Sequence, residues 1–318
     1  MAKRITFHDH KPKALSLQEA VIQGFLGKPK SIPPKFFYDE RGSALFAAIC
    51  EQPEYYPPDI EQAMLGRLAE EIAELTGTGR VIFEPGAGSA AKIRLLLDAL
   101  KPTAYVPMDI SCEFLKEAAC ALVDEFPWLP VHATCVDFTH SLPIPESVPT
   151  GPRLAFFPGS SIGNFTPETA CQFLAMVHDK IGRDGMLLIG VDTKKDPRIL
   201  DAAYNDAAGV TAAFNLNLLH RIRNETGIEC NPQNFEHRAF YNGDQGRVEM
   251  HLVSRCRQTL RLNGYRFEFG EGETVHTENS YKYTPEEFIA LTANVGLDLQ
   301  QFWLGEQDLF ALYLFRSR

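Results

Sequence analysis

The spacing of hydrophobic residues changes character about a quarter of the way along the chain. Leu15 to Phe25 carries a helical pattern that stops at the proline break Ser31-Ile32-Pro33-Pro34. From Glu61 onward Ala63, Met64, Leu65, Leu68, Ile72 and Leu75 recur at helical period. Short apolar runs then alternate with amphipathic stretches. Val81-Ile82-Phe83 ends at Gly86-Ala87-Gly88, and a helix follows over Ala90 to Leu100. Ala104 to Met108 ends at Asp109, before a helix from about Glu113 to Phe126. Pro130 to Val136 ends at Asp137-Phe138, and Arg153 to Phe157 ends at Pro158-Gly159-Ser160-Ser161. A helix over Glu168 to Ile181 leads to the fifth run, Gly185 to Val191, which ends at Asp192. Repeated strand–helix steps of this kind predict an α/β fold, a Rossmann-like doubly wound parallel sheet with helices on both faces.

The alternation stops near Lys194. Beyond it the pattern predicts a helical hairpin (Ile199 to Asn224) and strands around Val248 to Leu262 and Tyr265 to Phe269. A helix over Pro285 to Val295 and strands over Leu299 to Trp303 and Leu309 to Phe315 read as the end of a sheet. The expected division is discontinuous: a nucleotide-binding core of 61–195 plus 283–318, and a smaller α+β substrate-binding lobe of 1–60 plus 196–282. With 45% hydrophobic and 23% charged residues in 318, the chain can fill two such cores and is no disordered protein. A net charge of −10, without a basic cluster, argues against nucleic acid as a partner. Met1 to Lys13 holds no apolar signal core, and no apolar run approaches the roughly 18 residues of a membrane span. Seven scattered cysteines without a C-x-x-C pair point to reduced thiols rather than a disulfide framework or zinc site. His8-Asp9-His10 lacks a third ligand, so no metal is expected. The expectation is a cytoplasmic monomer away from membranes.

Ligands of open parallel sheets bind beyond the carboxyl ends of the strands. Gly86 and Gly88 let backbone approach a ligand closely, at the start of a helix whose amides favour negative charge. Asp109 can accept both ribose hydroxyls of an adenosine, and Asp137 with Phe138 offers an acceptor for the adenine amine and an apolar face for its ring. Each acid could instead cap the helix that follows. NAD and S-adenosylmethionine share these needs. Glu84, just before the turn, suits the ammonium of a methionine moiety better than a pyrophosphate, and no hydride-transfer constellation is visible. S-adenosylmethionine is the preferred cofactor.

The chain resembles, nearly end to end, the L-histidine Nα-methyltransferases of ergothioneine biosynthesis, which convert histidine to hercynine with S-adenosylmethionine. The resemblance rests on Phe37-Tyr38-Asp39-Glu40-Arg41-Gly42-Ser43, Pro53-Glu54-Tyr55-Tyr56-Pro57, Gly159-Ser160-Ser161-Ile162-Gly163-Asn164, the run Tyr204 to Asn215, and Thr277-Glu278-Asn279-Ser280. Glu84-Pro85-Gly86-Ala87-Gly88 departs from it, since the family more often has Leu and Ser within this turn.

The resemblance implies that Gly86, Lys92, Asp109, Asp137 and Phe138 line the cofactor. Lys92, which alone reads as a solvated helix residue, would meet the methionine carboxylate. Asn164 and Tyr204 would hold the substrate carboxylate, with Tyr55 closing on it. Tyr38 and Phe46 would lie near the amine, where an aromatic face favours a growing quaternary cation by roughly 0.5–2 kcal/mol. Tyr38 is also the candidate catalytic residue. Glu278 and Ser280, two apart on an extended segment, would read the imidazole, with Met250 beside it. The implied substrates are L-histidine and its mono- and dimethylated forms, methylated by in-line transfer to a neutral α-amine. Rival readings are a tryptophan-type Nα-methyltransferase, a non-catalytic S-adenosylmethionine-binding module, a nucleic-acid methyltransferase and an NAD oxidoreductase. Glu278 with Ser280 argues against the first, because an indole offers one donor and no acceptor.

Overall fold

The computed structural model describes residues 5–10 and 15–318. Segments 1–4 and 11–14, which take in most of the stretch expected to hold no signal core, lie outside the described residues. The chain divides into two compact units, with elements numbered along the whole chain.

The larger unit joins the N-terminal strand to Pro57–Lys194 and Tyr283–Arg318. Its strands are β1 (Ile5–Asp9), β3 (Val81–Pro85), β4 (Ala104–Asp109), β5 (Val131–Cys135), β6 (Arg153–Phe157), β7 (Met186–Asp192), β13 (Leu297–Leu304) and β14 (Phe310–Ser317). Helices α3 (Pro57–Thr76), α4 (Ala91–Leu100), α5 (Cys112–Glu125), α6 (Pro167–Ile181) and α9 (Pro285–Ala293) belong to the same unit. The strands form one sheet in the order β1-β5-β4-β3-β6-β7-β14-β13. It is parallel as far as β7 and closes with antiparallel β14 and β13. Strands β3, β5 and β7 are buried along their whole length. This is why they read as continuous apolar runs rather than alternating ones. From β3 the chain builds outward to β4 and β5, then returns to lay β6 on the other side. The order therefore reverses between β3 and β6, the place where doubly wound sheets open a crevice.

Two expectations need correction here. Strand β1 was assigned with all of 1–60 to the smaller lobe, yet it pairs in parallel with β5 at the edge of the large sheet. Its burial is mixed, Phe7 being exposed, as an edge strand allows, so it carries little hydrophobic signal. Cys112 and Cys135, expected as free thiols, are joined in a disulfide with Cα atoms 5.2 Å apart. A separation of 23 residues hides a pairing that follows from β4 and β5 being neighbours. Of the His8-Asp9-His10 run, His8 stacks on His132, and Asp9 places a carboxylate oxygen within 4.8 Å of both bonded sulfurs.

The smaller unit is built from 15–56 and Lys195–Lys282. It contains helices α1 (Leu17–Leu26), α2 (Glu40–Ile49), α7 (Pro197–Ala203) and α8 (Val210–Thr226). A sheet ordered β2-β12-β9-β8 is formed by β2 (Lys30–Ser31), β8 (Phe235–Asn242), β9 (Arg247–Ser254) and β12 (Thr274–Tyr281). A separate hairpin pairs β10 (Gln258–Leu262) with β11 (Tyr265–Phe269). Phe25, Phe37, Phe214, Leu218, Met250 and Phe267 centre its core. Several of the quoted sequence runs do structural work here. Asp39 caps α2 by accepting from Gly42 N–H and also takes a hydrogen bond from Asn217. A side chain at position 42 would put Cβ 1.8 Å from the carbonyl oxygen of Phe37. Asp206 caps α8 through the amides of Val210 and Thr211.

Candidate active site

In the larger unit every strand end at the reversal carries polar groups. After β3 the chain turns through Gly86 (φ 69°) and Gly88 (φ 53°), a left-handed conformation that favours glycine. Both Gly86 and Ala87 donate to the carbonyl of Met108, which ties the turn to the end of β4. A Cβ on Gly86 would lie 3.3 Å from the Phe138 ring, so glycine here keeps a slot open beside that ring. Asp109 accepts from Gly88 N–H at 3.1 Å and from Ser111 N–H at 2.9 Å. Burial pushes its carboxyl up, while the backbone amides of Ser111, Gly88 and Ile110 pull the other way. Asp137 accepts from the backbone and hydroxyl of Thr139. Phe138 packs edge-on against Phe157 and Phe173. Ala90, at the start of α4, gives no side-chain cap, so the amides of that helix face the turn without a carboxylate or hydroxyl of their own.

Glu84 and Glu61 are buried here as well. Glu84 is pushed up to about 8 by burial, against the hydrogen bond that Tyr105 donates to it and the nearby charge of Lys92. Glu61, on α3, is completely buried and meets Lys92 Nζ at 2.5 Å. Lys92, read from sequence as exposed unless a ligand claims it, is instead largely buried against Glu61. Glu61 went unnoticed in the sequence although it opens the apolar stripe Met64, Leu65, Leu68, Ile72. A carboxylate in register with such a stripe is the signal that could have found it. Asn164 ends a short 3-10 turn, Ser161–Asn164, after β6 and is exposed.

In the smaller unit the predicted substrate residues converge. Tyr38, Phe46, Tyr55 and Tyr204 form a chain of edge-on aromatic contacts, with centroids 5.7 Å apart for Tyr38–Phe46, 6.5 Å for Phe46–Tyr55 and 6.1 Å for Tyr55–Tyr204. Phe214, from the quoted run but not singled out, touches both Tyr38 and Phe46. Burial, with the charges of Tyr204, Cys50, Glu278 and Tyr38 nearby, holds the Tyr55 phenol far above its usual range. The Tyr55 phenol therefore stays protonated near neutral pH.

Glu278 and Ser280 lie opposite Met250 and Val248 of β9, on one face of β12. A register shift between His276 and Glu278 fixes this face. It is anchored by buried Thr277, which donates to the side chain of Asn215 and the carbonyl of Met250. The same alternation carries on to Lys282, a residue that sequence reasoning missed. Its ammonium is buried, donates to Ser280 Oγ at 2.9 Å and to Tyr204 Oη at 3.3 Å, and sits 5.2 Å from the Tyr204 ring centroid. Burial pushes the Glu278 carboxyl up to about 7, with Lys282 working against the shift. Glu278 and Ser280 are implied by the resemblance; the period of two that sets them on one face would have reached Lys282 one step further.

A reversing parallel sheet, a glycine turn beside an aromatic face and an acid at the end of β4 define a Rossmann-like methyltransferase fold. A crystal structure of an S-adenosylmethionine-dependent methyltransferase from Clostridium acetobutylicum shares it, with a TM-score of 0.52 over 86% of this chain and 97% of that one at 12% identity. A family profile described as "Histidine-specific methyltransferase, SAM-dependent" matches residues 17–317. The chain belongs to that family. It is 38% identical over 308 residues to the histidine N-alpha-methyltransferase of Mycolicibacterium smegmatis, covering 95% of each chain. It is 27% identical over 326 residues to a 4-dimethylallyltryptophan N-methyltransferase of Claviceps purpurea, covering 94% of each. The residues present fit S-adenosylmethionine: a slot that a Cβ on Gly86 would fill, an acid aligned by two backbone amides, and a lysine near a helix start.

Proposed function

We propose that the protein trimethylates the α-amino group of L-histidine to hercynine, the first step of ergothioneine formation. The larger unit then serves as the cofactor-binding core and the smaller one as the substrate-binding lobe, in a cytoplasmic monomer. The observation that carries the substrate is the pair Glu278 and Ser280 on one face of β12, with Lys282 just past the strand end donating to Ser280. Because Ser280 Oγ accepts from Lys282, the hydroxyl can serve the ring as a donor. Glu278 is an acceptor when ionised and a donor when protonated. A neutral imidazole has one donor and one acceptor nitrogen, and the pair answers both. An indole lacks the acceptor, so the tryptophan reading leaves Ser280 without a partner.

S-adenosylmethionine, when bound, supplies an electrophilic methyl group on its sulfonium. Gly86, Asp109, Asp137, Phe138 and Lys92 bind and orient it. Tyr204 and Tyr55 orient the amino acid by its carboxylate. Tyr38, Phe46 and Phe214 give the amine an aromatic wall that excludes water and favours the developing cation. Orientation is the main contribution, since holding both reactants in place removes much of the entropic barrier.

The direct test is mass spectrometry of the purified protein with S-adenosylmethionine and an equimolar mixture of the twenty amino acids. Histidine carrying three added methyl groups is expected, with the others unchanged. Methylated tryptophan instead of histidine would overturn the ring-site reading.

A second expectation follows from protonation. The ring is met best when Glu278 is ionised, to accept from the imidazole N–H, and the imidazole is neutral, to accept from Ser280. Acid protonates both groups, the imidazole below its ordinary value of ~6.5 and Glu278 below about 7, and removes both acceptors. KM for histidine should therefore fall as pH rises through about 7 and level off above it, while kcat keeps rising as the α-amine loses its proton. Steady-state kinetics from pH 6 to 9 would show it. An identical KM profile in Glu278→Gln would exclude Glu278 as the origin.

A further inference from the structure

Glu61 is the most buried charged group of the larger unit that the proposed mechanism leaves unused. It enters the core from the first turns of α3, in line with Met64, Leu65 and Leu68. A carboxylate in that position costs several kcal/mol unless it is paired and hydrogen-bonded. Here it is both. Lys92 Nζ lies 2.5 Å from Oε2, and Gly159 N–H reaches both carboxylate oxygens at 2.9 Å.

The neighbouring backbone is shaped around this group. A side chain at Gly190, on β7, would put Cβ 2.0 Å from Glu61 Oε1. At Gly159, just beyond β6 and at φ 81°, a Cβ would stand 3.1 Å from Lys92 Nζ. One carboxylate therefore links the chain just beyond β6 to the first turn of α4 and lies close against the backbone of β7. Lys92 keeps part of its side chain at the surface, 21% by area, while Glu61 keeps none. An ammonium has three donors, and the bond to Glu61 engages one of them.

We infer that Glu61 is a positioning residue for S-adenosylmethionine: it fixes the ammonium of Lys92, and with it the Gly159 amide, so that Lys92 meets the methionine carboxylate. This rests on the assignment of Lys92 to the cofactor. Without Glu61 the lysine chain regains its rotamers and the Gly159 amide loses its acceptor, so the amino-acid end of the cofactor is held less well. The adenosine end, held by Asp109, Asp137 and Phe138, is unaffected.

That division gives the test. Binding of S-adenosylhomocysteine and of 5′-methylthioadenosine, which lacks the amino-acid end, is measured by calorimetry on the full chain. Glu61→Gln should weaken S-adenosylhomocysteine at least tenfold and leave 5′-methylthioadenosine within about twofold. Glu61→Asp, which keeps the charge but shortens the reach, should show the same selective loss in smaller degree and covers the case in which the glutamine variant does not fold. Adding Lys92→Met to Glu61→Gln should cost nothing further, whereas adding it to Glu61→Asp should bring the loss up to that of the glutamine variant. Equal weakening of both ligands, or an unchanged affinity for S-adenosylhomocysteine, would overturn the inference and reduce Glu61 to a core ion pair. If the unaltered protein bound 5′-methylthioadenosine as tightly as S-adenosylhomocysteine, or Lys92→Met alone changed neither, the assignment of Lys92 itself would fail.

Discussion

Glu278→Ala is expected to lower kcat/KM for histidine by roughly ten- to hundredfold, corresponding to about 1.5–3 kcal/mol for a hydrogen bond to a charged partner. Two losses combine. The imidazole N–H loses its acceptor in a desolvated place, where an unmade bond is costly. The buried ammonium of Lys282 also loses the nearby carboxylate that offsets its charge. The second loss falls on the free enzyme as well as the complex, so a drop in thermal stability accompanies the kinetic one. Glu278→Gln separates the two, because the amide keeps an acceptor while removing the charge. Discrimination should relax in the same variant. A site built around ring hydrogen bonds rejects ligands that cannot answer them by as much as roughly 10⁴–10⁵, and alanine dismantles half of that site. Competition between histidine and tryptophan, read by mass spectrometry, measures it. Unchanged histidine kinetics in Glu278→Ala would remove Glu278 from the ring site.

Much of this architecture can be read from the chain because buried parallel strands write themselves as uninterrupted apolar runs. Val81–Pro85 and Met186–Asp192 are examples, and the residue after each such run sits at the carboxyl end of a strand, the side on which open parallel sheets take ligands. The five predicted strands and the helices between them follow from that rule. Elements with one exposed face are less legible. Strand β1 mixes exposed and half-buried residues, and β8 alternates weakly, so neither stands out. The stretch expected as strand around Val248 to Leu262 is two strands, interrupted at Arg255-Cys256-Arg257.

The candidate site divides along the same line. Asp109 and Asp137 follow from their place at strand ends, whereas Glu278 with Ser280 is implied by the resemblance, and a period of two explains only why both share a face. The aromatic set of Tyr38, Phe46, Tyr55 and Tyr204 draws on three separate stretches of chain, and no local pattern announces that they meet. They entered through resemblance alone. Lys282 and Glu61 were missed for opposite reasons. Lys282 lies past the motif that drew attention to its strand, and Glu61 hides in a helix whose other buried residues are ordinary core. Cys112 and Cys135 show the same limit, since only the adjacency of β4 and β5 brings them together.

Asp109→Ala is expected to weaken S-adenosylhomocysteine by at least about 100-fold, the consequence of losing two charged hydrogen bonds to ribose at roughly 1.5–3 kcal/mol each. The carboxylate also organises the turn it faces, since Gly88 N–H and Ser111 N–H both donate to it. A decline in affinity could thus reflect a loosened turn rather than a lost ligand contact. Asp109→Asn distinguishes these. The amide oxygen can still accept from one backbone N–H, while the charge that favours two ribose hydroxyls is gone. Protonation supplies a second distinction. Burial raises the Asp109 carboxyl above its ordinary value, so the folded protein holds that proton more tightly than the unfolded chain. Its ionisation therefore costs stability as pH rises through the window between the two values, and none of that cost remains in asparagine. At pH 8 the asparagine variant should melt no lower than the unaltered protein while binding S-adenosylhomocysteine far more weakly. A variant that melts lower and binds normally would make Asp109 a cap for the glycine turn and the start of α5, and would move the ribose contact elsewhere in the larger unit.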